Sequence, residues 1–286
     1  MKMKRTIYIC IAAAAVAVSL LGCRKEYVLF DGPSAIAFSD TSYVCPVQQS
    51  GEPFGIDIAA TTSSGEDRTF VVEAVPGKSS AVFGHHYTIE NQTVTIKAGE
   101  RAAKVYVKGN YDSVTSEDEP YVTLRLVGVE DSQWKFNSQE AKVYLKKICP
   151  FDIHDFTGKC TVMSSFLISY ANVQERTAEA EIVEGEENTI VIKGMFEDGH
   201  DVKFRFDLSD ILNPTMHIVD ETVVGDTRTF MNYIWGNGQL LGSEVSGYDA
   251  ELDVCEKYVT QYMLIRVDGV GTVGMFINII EFGTDK

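Results

Sequence analysis

Thr93-Val94-Thr95-Ile96-Lys97-Ala98-Gly99-Glu100, followed shortly by Lys104-Val105-Tyr106-Val107-Lys108, decides the fold class. Apolar and polar residues alternate in both runs, so in an extended chain Val94 and Ile96, then Val105 and Val107, share one face. Ala98-Gly99-Glu100 reads as the turn between them. One face buried and one wet is the mark of an antiparallel sandwich. Working outward, similar strand signals lie at Ala35–Phe38, Tyr43–Val47, Phe54–Ala60, Thr69–Ala74, Tyr121–Val127 and Glu140–Lys146. No segment reads as a convincing helix, and the class is all-β.

Lys147-Ile148-Cys149-Pro150 is the cleanest boundary, because a strand ends there and proline forbids simple continuation of the ladder. Beyond it the expected strands are Gly158–Met163, Ala178–Val183, Thr189–Gly194, Val202–Asp207, Met216–Val219, Phe230–Trp235, Ala250–Val254, Tyr262–Val267 and Gly274–Phe282. Asp198-Gly199 and Asp268-Gly269 are hairpin signals. An up-and-down order of this kind suggests a small barrel or a second sandwich. Gly274–Phe282 is largely apolar on both faces and reads as a central or closing strand, too short and isolated for a membrane element. The expected organisation is a leader over 1–22, a tether over 23–33, a sandwich over 34–149 and an antiparallel β-rich domain over 150–286.

Gly84-His85-His86-Tyr87, Val94 to Glu100, Val105-Tyr106-Val107, Asp112, Glu117, Glu119 and Tyr121-Val122-Thr123-Leu124 together resemble a Calx-beta module. The resemblance covers Ala35 to Ile148 and implies an immunoglobulin-like sandwich. The whole layout is similar to surface lipoproteins of Bacteroidota of unknown function. That likeness implies association with outer-membrane glycan uptake.

Lys2, Lys4 and Arg5 precede an apolar run from Ile7 to Leu21, the charged and greasy regions of a secretory signal. The run closes in Leu20-Leu21-Gly22-Cys23, which resembles the lipobox of bacterial lipoproteins and makes Cys23 the expected lipidation site. Acyl chains there would anchor the body stably, since each buried methylene contributes about 0.8 kcal/mol. The expected location is the outer membrane, on its periplasmic face or at the cell surface. Losing the three cations of the leader, with no acid, takes the formal charge from -16 to -19. Nucleic acid is therefore not an expected partner, because phosphates need clustered Lys and Arg.

Cys10 leaves with the leader and Cys23 is acylated, so Cys45, Cys149, Cys160 and Cys255 remain. Sequence does not choose among their pairings. In an immunoglobulin-like domain Cys45, near the first strand, could approach Cys149 at the end of the last; the alternative is free buried thiols.

Candidate chemistry is sparse. Calcium needs six to eight oxygens, and the acidic loop Asp112, Glu117, Asp118 and Glu119 offers a candidate Ca²⁺ site that falls short unless another loop contributes. A solvated acidic turn is the simpler reading. His85 and His86 would point to opposite faces if extended, while His154 and His200 adjoin aspartates. No nucleophile or metalloprotease motif occurs, so no enzyme is expected. Asp249, Glu251 and Asp253 would share one strand face, wet on the simpler reading, or able to bind a cation or sugar hydroxyls if they line a groove. Tyr233 and Trp235 would share another face, followed by Asn237 and Gln239. These four are the candidate ligand-binding residues, with Tyr248, Tyr258 and Tyr262 as further aromatics and Trp235 as a core residue on the alternative reading. Trp134 reads as a loop anchor. The function expected is a lipid-anchored envelope binding protein, for a glycan or as an accessory of an outer-membrane glycan-uptake system, with a structural assembly or adhesion subunit without small ligand as the alternative.

Overall fold

A computed structural model describes residues 34–129, 139–232, 235 and 238–283. The expected Cys23, Tyr233 and Asn237 sites, and Trp134, lie outside the described residues. The first half runs β1 (Ile36–Phe38), β2 (Ser42–Gln48), β3 (Phe54–Ala60), β4 (Arg68–Ala74), β5 (Tyr87–Ile89), β6 (Thr93–Ile96), β7 (Ala102–Gly109), β8 (Tyr121–Val127) and β9 (Glu140–Ile148). These make two sheets, ordered β1-β3-β7-β5 and β2-β9-β8-β4-β6. Val94, Ile96, Val105 and Val107 all turn into the space between the sheets, as their alternation requires.

β2 pairs with β9 in parallel and forms the sheet edge. An edge strand tolerates Pro46, whose missing N–H faces away from the ladder. Gly109 ends β7 against this strand so closely that a Cβ would lie 2.3 Å from a Val47 methyl. Glycine is therefore a packing requirement here, not a turn residue.

The second half runs β10 (Gly158–Ser164), β11 (Arg176–Ile182), β12 (Thr189–Lys193), β13 (Val202–Asp207), β14 (Thr215–Ile218), β15 (Thr222–Asp226), β16 (Gln239–Glu244), β17 (Glu251–Asp253), β18 (Tyr258–Val267) and β19 (Gly271–Phe282). One antiparallel sheet contains them all, ordered β14-β13-β12-β11-β10-β19-β18-β16-β15, with β17 on β18. The sheet curls until its ends meet: His217 Nδ1 on β14 is 2.7 Å from Glu244 Oε1 on β16. The result is a barrel-like curl with a side-chain seam. β19 sits between β10 and β18, the central position its two-faced apolar run suggested.

Among the described residues two helices interrupt this half, against expectation. α1 (Ser165–Ala171) is capped by Ser164, whose Oγ accepts from Phe166 N at 3.1 Å, and stops at Asn172 in the left-handed region, φ 54°. α2 (Thr227–Met231) is capped by Asp226, whose Oδ1 accepts from Arg228 N at 2.8 Å. The segment expected as a strand from Phe230 to Trp235 is therefore helical where it begins, through Met231. Local capping chemistry outweighed the weak alternation there.

Each half has its own core. Phe38, Ile56, Ile58, Val72, Leu124 and Leu145 belong to the first. Phe156, Phe166, Ile190, Phe204 and Ile280 belong to the second. Phe156 plugs the barrel end nearest the sandwich, its ring 4.9 Å from Phe206 and 5.3 Å from Phe151 and Phe282. Phe166 plugs the other end among Tyr170, Phe196, Phe230 and Phe276.

Candidate functional site: the cleft beside the Cys149–Cys255 disulfide

Cys149 follows β9 and bonds to Cys255 in the turn between β17 and β18. This corrects the Cys45–Cys149 pairing. In the parallel register Cys45 stands opposite Leu145, so Cys149 lies four residues farther along, about 13 Å at 3.3 Å per residue. A disulfide needs Cα atoms within about 7 Å. Cys45 and Cys160 stay free and buried, and burial pushes their thiols up to about 12 and about 11. Such thiols are inert at neutral pH.

Around the disulfide the two halves enclose a cleft of about 990 Å³, within the range of ligand sites. The sandwich contributes Gln48, Gln49, Ser116, Glu119, Lys146 and Ile148, and the barrel contributes Asp210, Asn213, Asp249, Glu251, Asp253 and Tyr258. Phe151, Leu208, Ile211 and Leu212 add apolar wall. The row Asp249, Glu251 and Asp253, whose simpler reading was a wet sheet face, thus lines a groove. Leu252 points into the core between Glu251 and Asp253 and fixes their shared direction.

Several contacts set the walls. Asp210 shapes its loop by accepting from Leu212 N and Asn213 Nδ2, each at 2.9 Å, and these bonds hold its carboxyl below the usual range. Asp253 accepts from the backbone N–H groups of Cys255 and Glu256, both at 2.9 Å. Across the cleft Lys146 donates to the Leu212 carbonyl at 2.8 Å, and Ser116 bonds to Glu256. Tyr258 is 38% exposed, enough to offer a ring face.

The acidic loop lies beside this cleft, anchored by buried Val114. Among the described residues no group of three or more His, Cys, Asp or Glu side chains is placed to hold a metal ion. Asp112, Glu117, Asp118 and Glu119 therefore do not converge, although Glu119 reaches the cleft wall.

Trp235 is 42% exposed, which sets aside its core reading. Its carbonyl accepts from Gly238 N at 2.8 Å, and Gly238 adjoins Gln239, which starts β16 beside the far end of β18. β18 begins at Tyr258, on the cleft, and runs ten residues to Val267, next to Leu240, about 30 Å away at 3.3 Å per residue. Trp235 and Gln239 thus sit opposite the cleft. Tyr248 packs on Tyr262 with ring centroids 5.5 Å apart and remains half exposed beside Asp249.

Among the described residues no histidine lines the cleft. His154 pairs with Asp152 at 2.7 Å, His217 with Glu244, and His200 lies 3.9 Å from Glu197. His85 and His86 occupy a turn, with ring centroids 4.5 Å apart.

Residues 136–286, just over half of the chain, match the model of a domain of unknown function, DUF4984. The chain belongs to the DUF4984 family. No curated protein matches it. Among solved structures this DUF4984 chain is similar to the apo form of the Calx CBD1 domain, at 14% identity over 41% of this chain and 98% of that one, TM-score 0.34. It is also similar to a protein of unknown function from Bacteroides ovatus, at 10% identity over 86% and 89%, TM-score 0.36. An auxiliary nutrient binding protein from Bacteroides thetaiotaomicron is 12% identical over 85% and 90%, TM-score 0.30. At such scores these likenesses carry no functional argument.

Proposed function

We propose that this DUF4984 protein is a glycan-binding protein of the bacterial outer membrane, held there by a lipid on Cys23 and serving a glycan-uptake system. Residues 34–149 and 150–286 form its two domains, and the ligand sits in the cleft between them. The observation that carries the reading is the cleft itself: a concave space in which Gln48, Asn213, Glu251 and Asp253 offer hydrogen-bonding groups beside the exposed ring of Tyr258. Sugars are bound by this combination of polar partners and apolar faces. Among the described residues five carboxylates line the cleft against two lysines. The local field therefore disfavours uronic or sulfated glycans and favours neutral or amino sugars.

A glycan array probed with the protein tests this. Signal on neutral or amino glycans, lost in Tyr258→Ala and retained in Trp235→Ala, supports the cleft. Loss in Trp235→Ala alone moves the site to the opposite end of the barrel. Silence on every glycan favours the second reading, an assembly subunit without small ligand. That reading is supported by the exposed apolar side chains of Ile168 and Tyr170 on α1 and of Met275 and Ile277 on the neighbouring β19. The anchor has its own test: radiolabelled acyl chain should enter the wild-type protein in cells and not Cys23→Ala.

A further inference from the structure

We propose that the Cys149–Cys255 disulfide is a dithiol-reducible catch on the cleft, in which Cys255 is the sulfur attacked and Cys149 the leaving group. The inference concerns cleft geometry and stands whatever the occupant is.

Its position is the first support. The bond closes a 106-residue separation and joins the end of the sandwich to the turn after β17. Both cysteines line the cleft and are half-buried, so a small reagent entering the cleft reaches them. Cys149 also borders the chain crossing, since Ile148 ends β9 and the next turn begins at Ile153. The disulfide therefore pins the crossing itself. With it open, the ties that remain across the cleft include the Ser116–Glu256 and Lys146–Leu212 hydrogen bonds, which water can replace.

The asymmetry between the sulfurs is the second support. Tyr111 Oη lies 3.6 Å from Cys149 Sγ, and the Lys147 ammonium sits 4.3 Å from the centre of the Tyr111 ring. The Tyr111 hydroxyl can donate to a thiolate forming on Cys149, and exchange runs faster when the leaving thiolate is more stable. At Cys255 the backbone N–H donates to the Asp253 carboxylate at 2.9 Å, and that adjacent negative charge opposes a thiolate.

The step balances as two-electron thiol–disulfide exchange. A thiolate of a small dithiol attacks Cys255 Sγ, and the S–S electron pair departs on Cys149 Sγ. The second thiolate of the reagent then attacks its own sulfur in the mixed disulfide and displaces the Cys255 thiolate. Both cysteines take up protons. The protein is reduced by two electrons, and the dithiol is oxidised to its cyclic disulfide.

Dithiothreitol applied to the oxidised full chain, with alkylation and mass spectrometry to count thiols and hydrogen exchange to read geometry, tests the proposal. The expected result is complete reduction in the folded protein at a rate proportional to reagent. Amide exchange should rise across 148–152 and 208–214 while the core strands stay protected. Tyr111→Phe, with unchanged circular dichroism, should slow reduction about threefold. Glutathione, a monothiol, should be trapped as a mixed disulfide on Cys255. Reduction only as fast as global unfolding, glutathione trapped on Cys149, no rate change in Tyr111→Phe, or unaltered exchange around the cleft each overturns it. None of these readouts involves a glycan, so failure here is separable from failure of the binding proposal.

Discussion

Cys149 and Cys255 stand with Cα atoms 5.3 Å apart and covalently tie the last strand of the sandwich to a turn of the barrel. Closing so long a segment removes much of the freedom of the unfolded chain. On the loop-entropy relation a separation of 106 residues corresponds to about 4–5 kcal/mol. The double substitution Cys149→Ser with Cys255→Ser should lower unfolding stability by an amount of that order. Denaturant titration read by circular dichroism checks it. An unchanged midpoint would mean that the bond adds nothing beyond the contacts around it.

Gly109 and Val47 make the sharpest packing demand in the sandwich, since a Cβ at 109 would lie 2.3 Å from one Val47 methyl and 2.8 Å from the other. Val47 is buried and cannot swing into solvent. Gly109→Ala should therefore destabilise by about 1–3 kcal/mol, the usual cost of overpacking. Adding Val47→Ala should recover part of that loss, visible as a favourable coupling in a double-mutant cycle. Strict additivity of the two changes would count against a direct clash.

These demands show what was legible in the chain. Phe54–Ala60, Tyr121–Val127 and Val202–Asp207 alternate cleanly and are strands with the expected bounds, because one buried face writes itself into the pattern. Asp268-Gly269 likewise marks the turn between β18 and β19. β15 was illegible because its register shifts between Val223 and Gly225, which breaks the period of two. β16 was hidden by Gly242, where a Cβ would come within 2.7 Å of both Met263 and Val224, so packing rather than pattern chose the residue. The helices after Ser164 and Asp226 are too short to show a period and reveal themselves through their caps. The cleft was harder still. Asp249, Glu251 and Asp253 were visible as a row, but that they face Gln48 and Lys146 depends on contacts between segments a hundred or more residues apart.

His86 gives a pH dependence with a definite sign. Its Nδ1 accepts from Val82 N at 2.9 Å, which only the neutral ring can do, and burial together with the neighbouring His85 holds its pKa below the ordinary 6.5. The unfolded chain therefore takes up the proton first as pH falls. The stabilisation is fully present above 6.5 and is lost as pH drops through the depressed value. NMR titration should give His86 a midpoint below 6.5, with Val82 amide exchange, corrected for its intrinsic pH dependence, accelerating over the same range. A midpoint at or above 6.5 would remove the argument.

Phe166 tests whether the two cores melt separately. Its ring is fully buried, with centroids 4.9 Å from Phe230, 5.1 Å from Tyr170 and Phe276, and 5.8 Å from Phe196. Those neighbours come from α1, α2, β19 and the loop after β12, so one ring holds the far barrel end closed. Phe166→Ala should cost about 3–5 kcal/mol, combining lost transfer energy with the cavity left behind. The core of the sandwich, built on Ile56, Val72 and Leu124, contains none of these side chains. With the disulfide removed by the double serine substitution, calorimetry of Phe166→Ala should therefore show one transition moved down by roughly 10–20 °C and a second left in place. A single transition that shifts as a whole would mean that the cleft contacts alone couple the halves into one folding unit.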